Sequence, residues 1–339
     1  MDLNSLNGIA KKMVEKGRGI LAADESAPTC KKRFDSINVE STEENRNAYR
    51  DMLFTTDGMN EFISGVILFD ETLRQSTLNK VTPFPKYLSE LDVIPGIKVD
   101  MGAHHLPGSE GEKITEGLDG LDQRLREYYS LGARFAKWRA VISISDSTPS
   151  GACITANAHA LARYAALCQE NGLVPIVEPE ILMDGEHSIQ DSFLVTEEVL
   201  HTTFSELYLQ NVEFEGMVLK PNMVMSGYEC SEKANVDTVA EMTVTVLKRC
   251  VPSAVPGIAF LSGGQSDEDA TAHLNKMNQI LGENSPWNLT YSYGRALQAP
   301  ALKKWGGQAM NVKDAQDAFY KRAKLNSLAT HGKYDSSME

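Results

Sequence analysis

Length, composition and charge set the first limits on this chain. It has 339 residues, of which 42% are hydrophobic and 23% are charged, and its formal net charge is −13. Such a composition is typical of a globular protein with a sizeable core. The acidic balance disfavours nucleic acid or an anionic membrane as a partner, because both attract cationic proteins. A few converging Lys and Arg side chains could still bind an anionic metabolite.

Cysteine usage and the N-terminus bear on the compartment. The five cysteines are widely spaced and form no C-x-x-C pair, a pattern that indicates a reducing environment and neither a disulfide framework nor a structural zinc site. Residues 1–5 show no signal-peptide pattern, and no apolar run approaches the ~18 residues that a membrane-spanning helix needs. We therefore expect a cytoplasmic protein.

Short apolar runs that end in a polar or charged residue recur along the chain and are typical of buried parallel strands. Eight such runs are present, in order Gly19–Asp24, Gly65–Asp70, Gly96–Asp100, Arg134–Arg139, Val174–Glu180, Gly216–Lys220, Gly257–Ser262 and Leu289–Gly294.

Helical periodicity fills the stretches between these runs. Apolar residues recur every three or four positions in Thr42–Met52, Leu118–Leu131, Ala156–Cys168, Val195–Leu209, Thr238–Cys250 and Asp269–Leu281. Residues Val312–Leu328 predict a further helix after the eighth run. Strands that alternate with helices pair in parallel. The pattern predicts a single (β/α)8 TIM barrel of residues 1–339, with additional N- and C-terminal helices and a short C-terminal tail at 331–339. An open doubly wound sheet is the alternative. The barrel is favoured because charged residues end nearly all the runs and are not confined to one switch point.

Charged residues at the ends of five predicted strands form the candidate active site. Residues i and i+2 of a strand share a face, so the charged residues within each run point the same way. Charged groups at interior strand ends are unfavourable unless they pair or serve a function. A structural network of ion pairs is the alternative to a catalytic centre. The predicted cluster comprises Asp24, Lys98, Lys137, Arg139, Glu178, Glu180 and Lys220.

Lys220 is the candidate amine nucleophile. To attack a carbonyl it must be neutral, so its pKa has to fall from about 10.4 toward about 7–8. Burial and a neighbouring cation such as Lys137 can produce that shift. Glu178 and Glu180 form a carboxylate pair suited to acid–base catalysis, and Asp24 is a third candidate. A lysine that merely extends its ammonium to solvent is the alternative interpretation of Lys220.

Two glycine-containing loops after the seventh and eighth strands are candidate phosphate sites, because backbone N–H groups near glycine can bind anions and barrels of this class often bind phosphate there. The candidates are Ser262, Gly263 and Gly264 in one loop, and Ser292, Gly294 and Arg295 in the other. A second phosphate could bind the basic run Lys31–Arg33 together with Lys98 and Arg139. Ordinary βα turns and a solvated basic surface are the alternatives.

The sequence predicts no metal centre and no cofactor. His104 and His105 are adjacent, and two adjacent residues of a regular element cannot chelate one ion; no other ligand cluster is apparent. We interpret them as loop histidines.

Seven segments of the chain give it a specific resemblance. They are Leu21-Ala-Ala-Asp-Glu-Ser26, Gly96-Ile-Lys-Val-Asp100, Phe135-Ala-Lys-Trp-Arg139, Ile176-Val-Glu-Pro-Glu180, Leu219-Lys-Pro-Asn-Met223, Leu261-Ser-Gly-Gly-Gln265 and Ser292-Tyr-Gly-Arg-Ala-Leu297. With these segments in order, the chain resembles class I fructose-1,6-bisphosphate aldolase over residues 10–334. The resemblance implies metal-independent cleavage of a phosphorylated sugar through a lysine Schiff base, and a homotetramer.

The resemblance also implies roles for individual residues. Lys220 matches the Schiff-base lysine, Glu178 the general acid/base with Glu180 and Lys137 as neighbours, and Asp24 the aspartate that handles the C4 hydroxyl. The positions that match the C1-phosphate site are Ser262, Gly263, Gly294 and Arg295, and those that match contacts to the sugar chain or the C6-phosphate are Ser26, Arg33, Lys98, Arg139 and Arg46.

Two departures from the family pattern stand out. Better-known eukaryotic members carry a C-terminal tyrosine that assists protonation of the enamine, whereas this sequence ends Lys333-Tyr-Asp-Ser-Ser-Met-Glu339; we expect slower enamine protonation. Pro28 stands where a glycine is usual, next to the expected C6-phosphate contacts. Other functions considered are a related imine-forming ketose-phosphate lyase acting on fructose 1-phosphate or sedoheptulose bisphosphate, a transaldolase-like enzyme, a metal-dependent aldolase, and a non-catalytic scaffold.

Overall fold

The computed structural model describes residues 3–79 and 81–339, and within them the chain forms ten β-strands. The strands are β1 (Gly19–Ala23), β2 (Ile63–Leu68), β3 (Ile94–Lys98), β4 (Ala103–His105), β5 (Lys113–Thr115), β6 (Phe135–Ile142), β7 (Val174–Ile181), β8 (Val218–Leu219), β9 (Gly257–Phe260) and β10 (Asn288–Tyr293).

Eight of these strands close into a parallel barrel in the order β1-β10-β9-β8-β7-β6-β3-β2. The first and last strands pair directly, with Ile20 opposite Ser292 and Leu21 opposite Tyr293. The (β/α)8 barrel is therefore confirmed, and the open doubly wound sheet is excluded. The two remaining strands, β4 and β5, form a small antiparallel hairpin that the sequence patterns did not predict.

Twelve α-helices surround the barrel in the described residues. They are α1 (Leu3–Met13), α2 (Ala27–Asp35), α3 (Glu43–Phe54), α4 (Asp70–Leu73), α5 (Phe84–Glu90), α6 (Leu121–Ser130), α7 (Gly151–Glu170), α8 (Ile189–Leu209), α9 (Val236–Cys250), α10 (Asp267–Leu281), α11 (Arg295–Trp305) and α12 (Val312–Thr330). Side chains cap several N-termini; for example, the Ser266 hydroxyl accepts a hydrogen bond from Asp269 N at 3.0 Å and so starts α10.

Apolar packing closes one end of the barrel. Side chains of α1, among them Leu6 and Met13, pack with inward-facing strand residues such as Ile67, Phe135 and Ile176. Gly96 belongs to this layer, because a Cβ at that position would lie 2.2 Å from the Phe135 ring. Because apolar side chains fill the end of the barrel that α1 covers, the space for polar groups lies at the other end, where the strands have their C-termini.

The last residues pack against the body of the protein. Tyr334 is buried, and its hydroxyl donates to Glu339 Oε1 at 2.9 Å. Arg322 on α12 donates to both carboxylate oxygens of Glu339 at 2.6 Å. The predicted tail at 331–339 thus follows directly on α12 and is held to it by an ion pair.

Within the described ranges, no helix is both long and apolar enough to cross a membrane.

Candidate active site

A cavity of about 990 Å³ opens at the C-terminal ends of the barrel strands. All seven charged residues that the sequence predicted at strand ends line it. So do seven of the nine other predicted substrate-binding residues: Ser26, Arg33, Ser262, Gly263, Ser292, Gly294 and Arg295. The period-two rule for strands accounts for this convergence, because residues at i and i+2 face the interior together.

Lys220 lies in the wall of this cavity, immediately after β8. The backbone N–H of Lys220 donates to Val177 O at 2.8 Å and so extends the hydrogen bonding between β8 and β7. The side chain is 5% exposed, and its Nζ lies 3.3 Å from Glu178 Oε1. Burial lowers the pKa of Lys220 from its ordinary value, and Lys137 adds to this effect while Glu178 opposes it. The arrangement thus favours a neutral amine more than solvent would.

Lys137, on β6, has the opposite character. Its Nζ lies 3.0 Å from Asp24 Oδ2 and 3.2 Å from Glu178 Oε2. Burial alone would lower the pKa of Lys137, but the carboxylates of Asp24 and Glu178 outweigh burial and hold that pKa well above its usual range. The site therefore contains two neighbouring lysines, one kept charged and one moved toward neutrality.

Asp24 and Glu178 hold the two lysines together. Burial alone would raise the pKa of Asp24, yet the ammonium groups of Lys137 and Lys220 hold it well below its usual range, so this carboxylate stays ionised. Glu178 lies between Lys137 and Lys220, and its Oε2 is buried without a hydrogen bond of good geometry. A buried acceptor of this kind is free to bind a ligand hydroxyl or water.

The other charged residues pair along the rim. Arg139 donates to Glu180, and the Arg139 backbone N–H donates to Asp100 Oδ2 at 3.3 Å. Lys98 Nζ lies 2.6 Å from Asp100 Oδ1. Glu178 and Glu180, predicted as a carboxylate pair, are therefore each paired with cations of their own.

The two predicted phosphate loops meet. Gly263 and Gly264 both adopt positive φ, 59° and 96°, a conformation that side chains with a Cβ rarely adopt. A Cβ on Gly264 would lie 2.8 Å from an Arg295 guanidinium nitrogen, so the loop after β9 touches the residue that begins α11. The Ser292 hydroxyl is buried and has no hydrogen-bond partner. The backbone of the glycine loop, the Arg295 guanidinium and the Ser292 hydroxyl are together suited to binding an anion.

Two predicted binding residues, Gly264 and Arg46, are not among those that line the cavity. The backbone of Gly264 adjoins the Arg295 guanidinium. Arg46, predicted to contact the sugar chain or the C6-phosphate, donates from its guanidinium to both carboxylate oxygens of Glu71, at 2.8 and 2.5 Å, and its role stays a prediction. Arg33 lines the cavity but adjoins Gly294, with a guanidinium nitrogen 3.5 Å from where a Gly294 Cβ would be. Arg33, predicted to contact the sugar chain or the C6-phosphate, thus lies beside the loop predicted to bind the C1-phosphate, and its role stays a prediction.

A buried network beside the cavity was missed by the sequence patterns. Glu25 pairs with Arg33, and Arg50 of α3 lies 3.2 Å from the same carboxylate. Gln298 of α11 accepts from Arg33 at 3.3 Å and donates to Ala22 O at 2.6 Å. Glu25 directly follows Asp24 and also lines the cavity, so the adjacent acidic pair at the end of the first apolar run was the available signal.

One group of potential metal ligands occurs among the described residues. Glu197, His201 and Cys250 bring ligand atoms within 4.8 Å of one another. They belong to α8 and α9 and do not line the cavity. Glu197 already pairs with Arg249 at 2.9 Å, and the Cys250 thiol donates to Glu197 O, so the protein itself occupies two of the three donors.

The structure places the two adjacent histidines in a strand and not in a loop. His104 and His105 were interpreted as loop residues, but they form part of β4 and are exposed there. Their backbone pairs with β5 in the hairpin, which explains why they are not in a loop.

The fold and the site together define a class of protein: a (β/α)8-barrel enzyme with a buried lysine suited to forming an imine with a carbonyl substrate. Comparison with known proteins is more specific. The sequence model of the family "Fructose-bisphosphate aldolase class-I" matches residues 5–339. The chain therefore belongs to the class I fructose-bisphosphate aldolase family.

Individual relatives agree. The chain is 58% identical to a probable class 1 fructose-bisphosphate aldolase of Xylella fastidiosa over 335 residues, which cover 98% of this chain and 99% of that protein. It is 55% identical to the cytosolic fructose-bisphosphate aldolase 4 of Arabidopsis thaliana, covering 94% of this chain and 80% of that protein. A solved structure of the Plasmodium falciparum aldolase, in complex with TRAP and a small-molecule inhibitor, superposes with a TM-score of 0.96 at 51% identity, covering 98% and 96% of the two chains.

Proposed function

We propose that this protein cleaves fructose 1,6-bisphosphate to dihydroxyacetone phosphate and glyceraldehyde 3-phosphate, and catalyses the reverse condensation, through a Schiff base on Lys220. The observation that carries the proposal is the Lys220–Glu178–Lys137–Asp24 chain of contacts, 3.3, 3.2 and 3.0 Å long, on the wall of one cavity.

Imine formation comes first. Glu178 accepts the proton that the Lys220 ammonium gives up, and the neutral amine attacks the C2 ketone. Glu178 then passes that proton to the carbinolamine oxygen, which leaves as water. Lys137 remains charged and keeps the carboxylates of Glu178 and Asp24 oriented. The product is a protonated imine, which withdraws electrons from the adjacent carbon and so does the work that a metal ion does in other aldol reactions.

Carbon–carbon cleavage follows. Asp24, kept ionised by its lysine neighbours, accepts the proton of the C4 hydroxyl. The C3–C4 bond breaks, its electron pair moves into the imine to give an enamine, and glyceraldehyde 3-phosphate leaves. Protonation of the enamine at C3 and hydrolysis of the imine then release dihydroxyacetone phosphate and restore the Lys220 amine.

The phosphates orient the substrate. The loop 262–264, Ser292, Gly294 and Arg295 are proposed for the C1-phosphate. Ser26, Lys98 and Arg139 are proposed for the sugar chain or the C6-phosphate, and Arg33 is assigned to the C1 side because it adjoins Gly294. Binding both ends places C2 against Lys220, which converts a bimolecular attack into an oriented one.

Borohydride trapping tests the chemistry. Incubation with dihydroxyacetone phosphate and borohydride, followed by peptide mapping, is expected to give one adduct, on Lys220. Lys220→Met should give none, whereas Lys86→Met, which removes an exposed lysine of α5, should trap normally. An adduct on another lysine, or none in the wild type, would refute the mechanism.

Substrate preference is tested by turnover. If both phosphate sites are used, kcat/KM for fructose 1,6-bisphosphate should exceed that for fructose 1-phosphate. Equal values would favour the related lyase that acts on the monophosphate. The kcat/KM for sedoheptulose bisphosphate should be measured as the third value in this comparison.

A homotetramer in the cytoplasm completes the proposal. All five cysteines are free thiols, which is consistent with a reducing compartment. Leu194, Tyr208 and Leu209 of α8 expose large apolar surfaces, and such surface supports self-association. Native mass spectrometry would report the oligomeric state directly, and a monomer at micromolar concentration would contradict the proposal.

A further inference from the structure

Residues 227–229, which follow β8 in the chain, contact the loop after β9 through Tyr228. Hydrogen bonds to residues 183–187 hold their backbone in place. The N–H groups of Gly227, Tyr228 and Glu229 donate to the carbonyls of His187, Met183 and Gly185, at 2.8, 2.8 and 3.0 Å. Lys233 adds hydrogen bonds from its Nζ to the carbonyls of Gly227 and Tyr228, at 2.6 and 2.7 Å. The Tyr228 side chain therefore projects from a well-anchored backbone.

The Tyr228 hydroxyl makes one strong contact with the loop. It donates to Gly263 O at 2.7 Å. The Met183 side chain packs on the same residue, since a Cβ on Gly263 would lie 2.5 Å from Met183 Cε. The Tyr228 hydroxyl also lies 2.9 Å from where a Gly264 Cβ would be, on a residue that adjoins Arg295. Tyr228 thus contacts the loop at the peptide unit that joins its two glycines.

That peptide unit needs an external restraint. A peptide is planar and trans, so the Gly264 N–H points opposite to the Gly263 carbonyl. Glycine passes between positive and negative φ with little steric penalty, so a peptide between two glycines can turn over readily. A hydrogen bond that fixes the Gly263 carbonyl also fixes the direction of the Gly264 N–H.

We propose that Tyr228 is a positioning residue for the aldolase reaction: by holding the Gly263 carbonyl, it orients the 263–264 peptide as part of the anion site beside Arg295. Tyr228 does not act on the reacting carbons. The inference rests on the proposed function in one respect, the assignment of this loop to the phosphate of dihydroxyacetone phosphate.

Condensation kinetics of Tyr228→Phe test the proposal. The change removes one oxygen from a side chain that is 41% exposed, so the fold should be kept and the melting temperature should match the wild type. The KM for dihydroxyacetone phosphate should rise about 5-fold, the equivalent of the ~1 kcal/mol that one hydrogen bond contributes. The KM for glyceraldehyde 3-phosphate, which binds at the other end of the cavity, should not change, and kcat should stay within about twofold.

The matched control is Tyr129→Phe, which removes a hydroxyl from a tyrosine of α6 that is 43% exposed and should leave both KM values unchanged. An unchanged KM for dihydroxyacetone phosphate in Tyr228→Phe would overturn the proposal, and so would an equal rise in both KM values, which would indicate a general loosening. Failure of the proposed function is distinguishable, because then the wild-type protein itself would not catalyse condensation or form the Lys220 adduct.

Discussion

At the scale of single residues, the site separates the roles of two lysines by their neighbours. Lys220 contacts one carboxylate, Glu178, while Lys137 contacts two, Glu178 and Asp24. Both ammonium groups are buried to the same degree, so the different directions of their pKa shifts come from the count and placement of charges around them. A sequence alone cannot supply that count.

Glu178 Oε1 lies 3.3 Å from the Nζ of Lys220, the amine proposed to react, and loss of this carboxylate should reduce the rate of chemistry. We expect Glu178→Gln to lower kcat by about 10²–10⁴-fold, the range for loss of a general acid/base. Steady-state cleavage assays measure this directly. Glu186→Gln, at an exposed position in the loop after β7, is the control. If kcat of Glu178→Gln stays within threefold of the wild type, another group transfers the proton.

Asp24 should link stability to acid pH. Its pKa is lower in the folded protein than its ordinary value of 3.8, so the unfolded chain binds the proton more tightly. The stability that ionised Asp24 contributes is complete above about pH 4 and is lost as the pH falls below 3.8 toward the lowered pKa.

Asp24→Asn should therefore lower the free energy of unfolding at pH 7, and the difference from the wild type should shrink as the pH falls below 3.8. Urea unfolding at a series of pH values provides the measurement. A difference that does not change with pH would mean that the carboxylate charge contributes nothing to stability.

At the scale of elements, the sequence predicted what depends on periodicity and missed what depends on tertiary contact. All eight barrel strands were found, because buried parallel strands are continuous apolar runs. The hairpin of β4 and β5 was missed because each strand has only three residues. Helix α11 was missed because Pro300 interrupts its pattern. The ion pair between Arg46 and Glu71 was not predicted, since it depends on the position of α4.

The glycine loop after β9 should not tolerate a side chain. Gly263→Ala places a methyl group 2.5 Å from Met183 Cε at a φ of 59°, which should destabilise the protein by about 1–2 kcal/mol and raise the KM for dihydroxyacetone phosphate. Thermal unfolding and condensation kinetics measure the two effects.

Gly8→Ala provides a control of opposite sign. Gly8 lies on the exposed face of α1 with nothing within 4 Å of the added methyl group, so alanine should stabilise the helix by about 0.5–1 kcal/mol. Destabilisation by Gly8→Ala, or none by Gly263→Ala, would contradict the steric argument.

At the scale of the whole molecule, we propose that residues 1–339 act as a single catalytic domain. The barrel strands and the helices around them share a large hydrophobic core that extends from Leu21 to Tyr334. The segment after α1 also contacts the last turn of α12, because Gly17 N donates to Thr330 Oγ1 at 2.9 Å.

A single domain should unfold in one step. Differential scanning calorimetry is expected to show one transition whose calorimetric and van't Hoff enthalpies agree for each cooperative unit. Two resolved transitions that are independent of protein concentration would argue for separate units.

The pairing of β1 with β10 has a consequence for synthesis. Strand β1 leaves the ribosome early, whereas its neighbour β10 begins only at Asn288. Chains are made at about 5–20 residues per second, so β1 exposes an unpaired edge for about 13–53 seconds before the barrel can close. A growing chain in that interval presents a hydrophobic strand edge, the feature through which unfinished proteins aggregate, and this is the period in which a chaperone would be needed most.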